Sequence, residues 1–338
     1  SIRRYLVGAE QRWVFERPSQ DWSPPHIERT SLYLHVPFCR HFCPYCPYTK
    51  VHYRESLVEP FTVAAIAEVD WWADAVGPAE ITSVYIGGGT PTLVLDSVAR
   101  VLMRVRERFR LTGDICTETN PADVDVETVQ RLHDMGVELV SLGVESFQPQ
   151  NLAVIGRDYK PFVAERALTL LAESDFASVN ADIMFALPHQ TAADVTADLS
   201  RAAQLGADQL TTYPLFTFPY TTVGKYLRLK AVRMPNLRIR QAQYRAISGW
   251  CAEHGFERVS VWGFKHGTVS MPTRNLPQCA CVWGASSLDP RYPHRYNKSL
   301  SGDVNFVDLP PTVDPDSRMG GGGHPLDLRV ELEDAKNH

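Results

Sequence analysis

The sequence predicts an α/β fold, a full or partial (β/α) barrel with a short irregular C-terminal extension. Three observations predict it. From Ser31 onward, short apolar runs alternate with longer amphipathic ones, giving six or seven strand–helix units in a row. Such alternation is the signature of a parallel sheet wrapped by helices. The length, 338 residues, allows two domains, but a single α/β barrel uses most of such a chain. A hydrophobic content of 44% with 22% charged residues is near the globular average, which excludes wholesale disorder and supplies a large core. Parallel crossovers are right-handed, so the units close into a barrel or lie open as a doubly wound sheet. Either way, ligands gather at the C-terminal ends of the strands.

The elements follow in order. Residues 1–30 are polar, Pro-containing and aperiodic, and read as an N-terminal arm. Ser31–Val36 reads as a strand and Leu57–Val76, by its period, as a helix. Ile81–Ile86 (ITSVYI) is β-branched and strand-like, and Ser97–Phe109 is helical. Asp114–Glu118 is a strand, and Asp125–Gly136 a helix with glycine as its stop signal. Glu138–Val144 (strand), Pro161–Ser174 (helix) and Ser178–Phe185 (strand) come next. Ala192–Leu205 is a helix that Thr191 caps, with Asp194 three residues on in a capping-box position. Gln209–Pro214 is a strand, Asn236–His254 a helix ending at Gly255, and Glu257–Trp262 a last strand. Residues 31–264 thus form the expected barrel. Residues 265–338, with Pro-rich pieces, a Gly320–Gly323 run and a charged end (Leu328–His338), read as a poorly defined extension.

Charge and cysteine usage narrow the function. The net charge is −5, from 34 basic and 39 acidic residues, which argues against a protein held mainly by nucleic-acid phosphates. The seven cysteines are odd in number and not spread as a disulfide framework, so a reduced, intracellular setting is expected. The start, Ser-Ile-Arg-Arg-Tyr-Leu-Val-Gly, is too short and polar for a secretory segment, and no apolar run reaches membrane-spanning length. The expectation is a soluble cytoplasmic protein.

The segment that carries chemistry is YLHVPFCRHFCPYCPY, from Tyr33 to Tyr48, just past the first strand. Cys39, Cys43 and Cys46 have the spacing C-x3-C-x2-C. Ferredoxin-type loops bind iron–sulfur clusters with four Cys ligands. A three-Cys loop leaves one iron open to a small chelating molecule. Zinc is the competing reading, with His35, His41 or His52 as fourth ligand, but a zinc site of this kind usually pairs two short knuckles and the second is missing.

A second motif, YIGGGTPT (Tyr85–Thr92), follows the second predicted strand. Its glycines let the backbone approach a ligand closely and expose N–H groups; a plain tight turn is the alternative. Polar residues also stand at later strand ends: Glu118 and Asn120, then Glu145 and Ser146. Asp182 lies inside an otherwise apolar strand, where a carboxylate is costly unless paired or ligand-bound. Singly, each fits a cap or ion pair; as a ring around one mouth they read as a ligand site. Arg157 can pair with one of these acids or with a ligand carboxylate.

These motifs resemble the radical S-adenosylmethionine (SAM) superfamily, whose hallmark is C-x3-C-x2-C with an aromatic residue before the last Cys. YLHVPFC…CPYC, YIGGGTPT, ETNP, LVSLGVESFQ and NADIMFALPHQT look like the branch of oxygen-independent coproporphyrinogen III oxidase, the related heme chaperones and the class C radical SAM methyltransferases. The likeness covers about Ser31 to Phe264. It implies that Cys39, Cys43 and Cys46 bind a [4Fe–4S] cluster whose open iron chelates SAM. It places Tyr45 against adenine and Tyr33 near the bound SAM, and has Gly88, Gly89 and Thr90 hold the methionine amino group. Glu118, Arg157 and Asp182 match SAM-binding positions, and Glu145 stands where the oxidase has Gln. One electron would then cleave SAM to a 5′-deoxyadenosyl radical that abstracts a substrate hydrogen.

The departures from the family pattern shape the expected function. No fourth Cys follows the triad, since Pro47 and Tyr48 stand there; LPGQT reads LPHQT, with His189 for Gly. VWGF (Val261–Phe264) resembles the last family strand, and beyond it only Gly284-Ala285-Ser286 suggests a family loop. Methyl transfer to an sp2 carbon, with a second SAM, is therefore the leading expectation. Coproporphyrinogen-type oxidative decarboxylation is an alternative. A heme chaperone using His35 or His41 is another, although His35 reads first as a packed strand residue. A fourth view is that the tail around Pro272–Pro311 does not fold, leaving SAM cleavage uncoupled. The implied partners are a small-molecule substrate and a flavodoxin- or ferredoxin-type electron donor, with neither nucleic acid nor membrane.

Overall fold

The computed structural model describes residues 27–218, 221–224, 233–267, 279–282, 295–298 and 304–307. Most of the expected N-terminal arm lies outside the described residues. So do the Gly284–Ser286 segment, the glycine run and the charged end.

The elements in chain order are strands β1 (Arg29–Val36), β2 (Phe38–Cys39) and β3 (Val51–His52), helix α1 (Glu55–Val76), β4 (Glu80–Gly88) and α2 (Leu95–Arg108). Then come β5 (Arg110–Leu111), β6 (Ile115–Thr119), α3 (Val126–Asp134), β7 (Leu139–Glu145), α4 (Pro149–Ile155) and α5 (Pro161–Ala172). The rest are β8 (Ser178–Phe185), α6 (Ala192–Gln204), β9 (Gln209–Pro214), α7 (Leu237–Glu253), β10 (Glu257–Arg258), β11 (Gly263–Lys265), β12 (Cys279–Val282), β13 (Arg295–Lys298) and β14 (Val304–Val307).

Local signals explain the boundaries. Asp125, Thr191 and Asn236 cap α3, α6 and α7 with their side chains, and Thr191 with Asp194 forms the full capping box. α3 stops short of Gly136, which takes φ 75.

The strand path is β10-β11-β9-β8-β7-β6-β4-β1-β12, with β5 beside β4. From β12 to β9 all neighbours on this path are parallel. Among the described residues no pairing joins its two ends, so the sheet is a partial barrel. Its outer face and the helices bury one apolar core, centred on residues such as Leu34, Ile86, Leu142, Ile183 and Leu199.

Two expectations need correction. Glu257–Trp262 is not one strand. β10 and β11 form a hairpin around Ser260, whose hydroxyl accepts from the Gly263 N–H at 2.8 Å. β11 then runs antiparallel to β9. The extension is not wholly irregular either, because β12 pairs in parallel with β1 (Ser31 opposite Cys279) and β13 pairs with β14. Four residues are too few to show a period in sequence.

Alternation along the strands decides what faces the lumen. On the concave face stand Tyr33 and His35 (β1), Tyr85 (β4), Glu118 (β6), Ser141 (β7), Asn180 and Asp182 (β8), and Thr211 and Tyr213 (β9). Asn180 Nδ2 donates to Ser141 Oγ at 2.7 Å, and Thr211 Oγ1 donates to Asn180 Oδ1 at 2.9 Å. Three adjacent strands are thus tied by side chains on the one face that must stay polar.

Candidate active site

The cysteine loop leaves the C-terminal end of β1 and is pinned at both of its ends. β2 and β3 pair in parallel, the Val51 N–H donates to Pro37 O at 2.9 Å, and the Tyr53 N–H donates to Cys39 O at 2.9 Å. Within the loop the Cys46 N–H donates to Cys43 O at 3.1 Å, and Lys50 Nζ donates to Cys46 O at 2.7 Å. Cys39, Cys43 and Cys46 are half-buried free thiols. Burial and then the charges of Cys46 and Cys43 push the Cys39 thiol up to about 11. Burial likewise holds Cys43 above its ordinary value, with Glu145 and Cys46 adding to it. Thiols so placed ionise together only against positive charge, the condition that iron meets.

The histidines weighed for zinc are otherwise engaged. His35 is buried, with Nε2 on Thr49 O at 2.8 Å and Nδ1 on the Tyr33 hydroxyl at 3.2 Å. His41 Nε2 lies 3.3 Å from Asp158 Oδ2, and His52 stacks on Phe42 at 3.8 Å. Among the described residues no three His, Cys, Asp or Glu side chains converge on a single ion. A cuboidal cluster makes a different demand, since each thiolate meets its own iron.

The N–H groups of the glycine loop bond within the protein rather than standing open. The Gly89 N–H donates to Val36 O and the Thr90 N–H to Phe38 O, both at 2.7 Å, while the Gly88 N–H donates to Glu118 Oε2 at 3.0 Å. These N–H groups are spent inside the protein, tying the end of β4 to the root of the cysteine loop. What the loop can offer a ligand is carbonyl oxygen, suited to an ammonium group. A Cβ on Gly89 would lie 2.5 Å from Phe38 O, and one on Gly87 would lie 2.9 Å from Glu118, so this approach requires glycine. The Thr90 side chain hydrogen-bonds Cys39.

Three carboxylates stand around the lumen. Glu118 accepts from Tyr85 Oη at 2.9 Å and from the Gly88 N–H. Asp182 accepts from Asn180 Nδ2 at 2.8 Å. Burial raises both carboxyls above their ordinary values, and the Glu145 charge raises them further. Glu145 accepts at Oε1 from Arg157 Nη2 (2.7 Å) and Tyr45 Oη (3.0 Å), and at Oε2 from Tyr213 Oη (2.5 Å). Arg157 Nε also donates to Tyr45 Oη at 3.2 Å. Of the partners open to Arg157, the structure gives it Glu145. Gly143 leaves the room for this, since a Cβ there would lie 3.3 Å from Arg157 Nη2. Three carboxylates thus face one guanidinium, and the lumen favours a cation.

The structure brings Tyr45, Glu145 and Arg157 together near Cys43, and Gly88 and Glu118 together at the end of β4. Tyr33 stacks on Tyr85 with ring centroids 6.0 Å apart. Tyr85 and Tyr213, both bonded to site carboxylates, escaped the sequence reading. Their signal was strand alternation, which places Tyr85 two residues before Gly87 and Tyr213 two after Thr211.

Residues 33–202 match the family described as the Radical SAM superfamily. The chain is 27% identical over 238 residues to the heme chaperone HemW of Bacillus subtilis (strain 168), covering 69% of this chain and 63% of that protein. It is 30% identical over 214 residues to oxygen-independent coproporphyrinogen III oxidase of Paracoccus denitrificans (strain Pd 1222), covering 61% of this chain and 48% of that one. Among solved structures it is similar to coproporphyrinogen III oxidase (HemN) from Escherichia coli, described as a radical SAM enzyme. There the TM-score is 0.64 at 22% identity, over 74% of this chain and 57% of that one. That last likeness is one of fold. The chain spans less than two-thirds of the length of either curated relative.

Proposed function

The chain belongs to the radical SAM superfamily, whose members use a [4Fe–4S] cluster and SAM, and we propose on that footing that Cys39, Cys43 and Cys46 hold the cluster and the acidic lumen beside them holds SAM. The observation that carries this reading is the charge balance of the lumen. Among the described residues Glu118, Glu145 and Asp182 face only Arg157, and burial, with the Glu145 charge added, raises the Glu118 and Asp182 carboxyls. SAM brings a sulfonium and an ammonium, so its entry relieves that repulsion. The thiol triad fits as a donor set, because burial, and then neighbouring negative charge, holds the Cys39 and Cys43 thiols above their ordinary values until positive charge arrives.

When bound, cluster and SAM supply a carbon-centred radical by one-electron cleavage of a sulfonium C–S bond. The residues of this chain bind, orient and exclude water. Gly88 and Gly89 present carbonyl oxygen to the ammonium, with Glu118 behind them. Thr90 steadies Cys39. Arg157 and Tyr45, both anchored on Glu145, fix the wall between loop and lumen. The stacked Tyr33 and Tyr85 rings line the opposite side and keep it dry. Asp182, fixed by Asn180, offers a buried carboxyl whose ionised form a bound cation would favour.

For the reaction, we infer methyl transfer to an sp2 carbon of an unsaturated or heteroaromatic substrate, with a second SAM as donor and a flavodoxin- or ferredoxin-type protein as electron source. Its support is that Pro47 and Tyr48 stand where the oxidase continues with a fourth Cys. The names of the relatives favour a second reading, coproporphyrinogen-type decarboxylation or heme handling. Against heme on His35 stands that residue's burial, with both ring nitrogens engaged.

One experiment separates these readings. Anaerobically reconstituted protein is reduced with methyl-labelled SAM in the presence of a heteroaromatic acceptor or, in a parallel reaction, of coproporphyrinogen III, and the products are separated. The expected products are 5′-deoxyadenosine together with S-adenosylhomocysteine. 5′-Deoxyadenosine alone, with decarboxylated porphyrinogen, favours the oxidase. Heme binding without SAM cleavage favours the chaperone. Protein that takes up no iron and sulfide, or whose uptake survives Cys39→Ala, ends the cluster assignment.

A further inference from the structure

On the outer face of the sheet a cleft of about 310 Å3 opens between the C-terminal ends of β8 and β9 and the first half of α7. Phe185 and Pro214, its floor, are the last residues of their strands. Phe185 points away from the face that carries Asp182, and Pro214 away from the face that carries Tyr213, as strand alternation requires. The cleft is therefore separate from the lumen.

Its walls are aromatic. Tyr244 and Trp262 meet edge to face with centroids 5.6 Å apart, and Phe185 lies 5.9 Å from Trp262 and 6.2 Å from Tyr244. The Tyr244 hydroxyl donates to Val261 O at 2.6 Å, so the ring is held and its polar end is occupied. The hairpin that replaced the expected last strand is what delivers Trp262 here.

Its rim is cationic. Arg240 and Arg245 stand one and a half turns apart on α7 and both line the cleft. Arg240 Nε donates to Pro235 O at 3.1 Å, which fixes its direction. Among the described residues neither guanidinium has a carboxylate partner, and no acidic side chain lines the cleft. Two uncompensated arginines beside a box of rings, on a chain of net charge −5, is a local arrangement that solubility does not require.

We propose that this cleft is a second binding site, for a planar aromatic or heteroaromatic ring that carries an oxyanion. The ring lies against the open side of the packed Trp262 and Tyr244 rings, with buried Phe185 behind them, and the oxyanion meets Arg240 and Arg245, whose planar forks suit carboxylate and phosphate alike. The volume is at the small end of the range for ligand pockets, which limits the occupant to about one fused bicyclic ring. An organic cation is excluded by the arginines, although the rings alone would accept it.

The site is tested on the full chain by calorimetric titration with 2-naphthoate, 2-naphthyl phosphate and the neutral 2-naphthamide, with Trp fluorescence as second readout. At least one anion should bind saturably at one site and quench Trp fluorescence, and the better anion identifies the headgroup. The amide should bind at least about tenfold more weakly. Arg240→Gln with Arg245→Gln should weaken the better anion by a similar factor at unchanged thermal stability, and Trp262→Phe should remove most of the quenching. Equal binding of the amide, unchanged binding in the double arginine variant, or no saturable binding overturns the proposal. Neither cluster nor SAM is needed for the titration, so a failure of the lumen assignment leaves this result standing.

Discussion

Tyr213 on β9 donates to Glu145 on β7 at 2.5 Å, reaching across the intervening strand β8. The bond occupies Oε2, while Arg157 and Tyr45 occupy Oε1. Glu145 has φ 65 and follows a register shift between Leu142 and Glu145, so a local irregularity of β7 turns the carboxylate toward its three donors. Glu145 is therefore the anchor of the wall beside the thiols.

Removing that anchor should be costly. Glu145→Gln leaves Arg157 buried without its counter-charge, and breaking such a pair typically costs about 3–5 kcal/mol. Tyr213→Phe keeps the pair and loses one bond to a charged acceptor, about 1.5–3 kcal/mol. Urea denaturation of both single variants and the double variant checks this. The double variant should be less destabilised than the sum, because both act on one carboxylate.

Asp198 links the same region to pH. It accepts from Ser146 Oγ at 2.6 Å and from the Phe147 N–H at 2.9 Å, directly after Glu145, and burial pushes its carboxyl up to about 6. A folded-state value above the unfolded one means that the native state holds the proton more tightly. The contribution of Asp198 is thus most favourable at low pH. It declines as pH climbs from about 4 to about 6 and is flat above, a total near 3 kcal/mol at 1.36 kcal/mol per unit. Asp198→Asn removes the titrating group and keeps the Phe147 contact at its carbonyl, but loses the Ser146 bond, because Ser146 Oγ already accepts from the Gln148 N–H and from Asn151 Nδ2, a cost that does not vary with pH. The variant should lack this slope, so the stability difference between variant and wild type should grow from pH 4 to pH 6 and then level off. A difference independent of pH contradicts it.

Much of this is legible in the sequence. Ser178–Phe185 and Gln209–Pro214 came out at their observed bounds, because each is a compact β-rich run between turn residues. The thiol triad showed in its spacing alone. What stayed hidden is what register decides. Nothing near Tyr213 says that its hydroxyl meets Glu145, since that depends on how β7, β8 and β9 align. The glycine run showed only that backbone approaches something closely. That the partner is the backbone of Val36 and Phe38 is a long-range fact. The β10–β11 hairpin is hidden for a local reason, as Val-Ser-Val-Trp alternates like a strand while Ser260 turns the chain.

The glycine loop supports a sharper test. At Gly89 an added Cβ lies 2.5 Å from Phe38 O, a backbone atom that cannot step aside without moving the cysteine loop. At Gly77, the C-cap of α1, nothing lies within 4 Å, and the obstacle is the backbone itself, at φ 76 and ψ −159. Gly77→Ala should cost about 1–3 kcal/mol from backbone strain in a region that is essentially glycine-only. Gly89→Ala should cost about 1–3 kcal/mol from overpacking and should also lower iron incorporation on reconstitution, which Gly77→Ala leaves intact. Equal iron content in the two variants would separate the glycine loop from the thiols.

His189 stands at φ 65 in the turn after β8, exposed, where the family pattern has glycine. Gln190 locks that turn from inside, accepting from the Leu187 N–H at 3.1 Å and donating to Met184 O at 3.1 Å, and its own carbonyl accepts from Gln243 Nε2 at 2.8 Å. The conformation is thus imposed by the neighbour, and His189 bears it. His189→Gly relieves the left-handed strain but adds freedom to the unfolded chain, so the two effects, each about 1 kcal/mol, nearly cancel. His189→Val puts a β-branched side chain into the same conformation and should lose about 1–2 kcal/mol. Thermal denaturation should therefore rank glycine level with or slightly above histidine, and valine clearly below. Valine equal to histidine would mean that the turn relaxes out of its left-handed state, and Gln190 would then not be its lock.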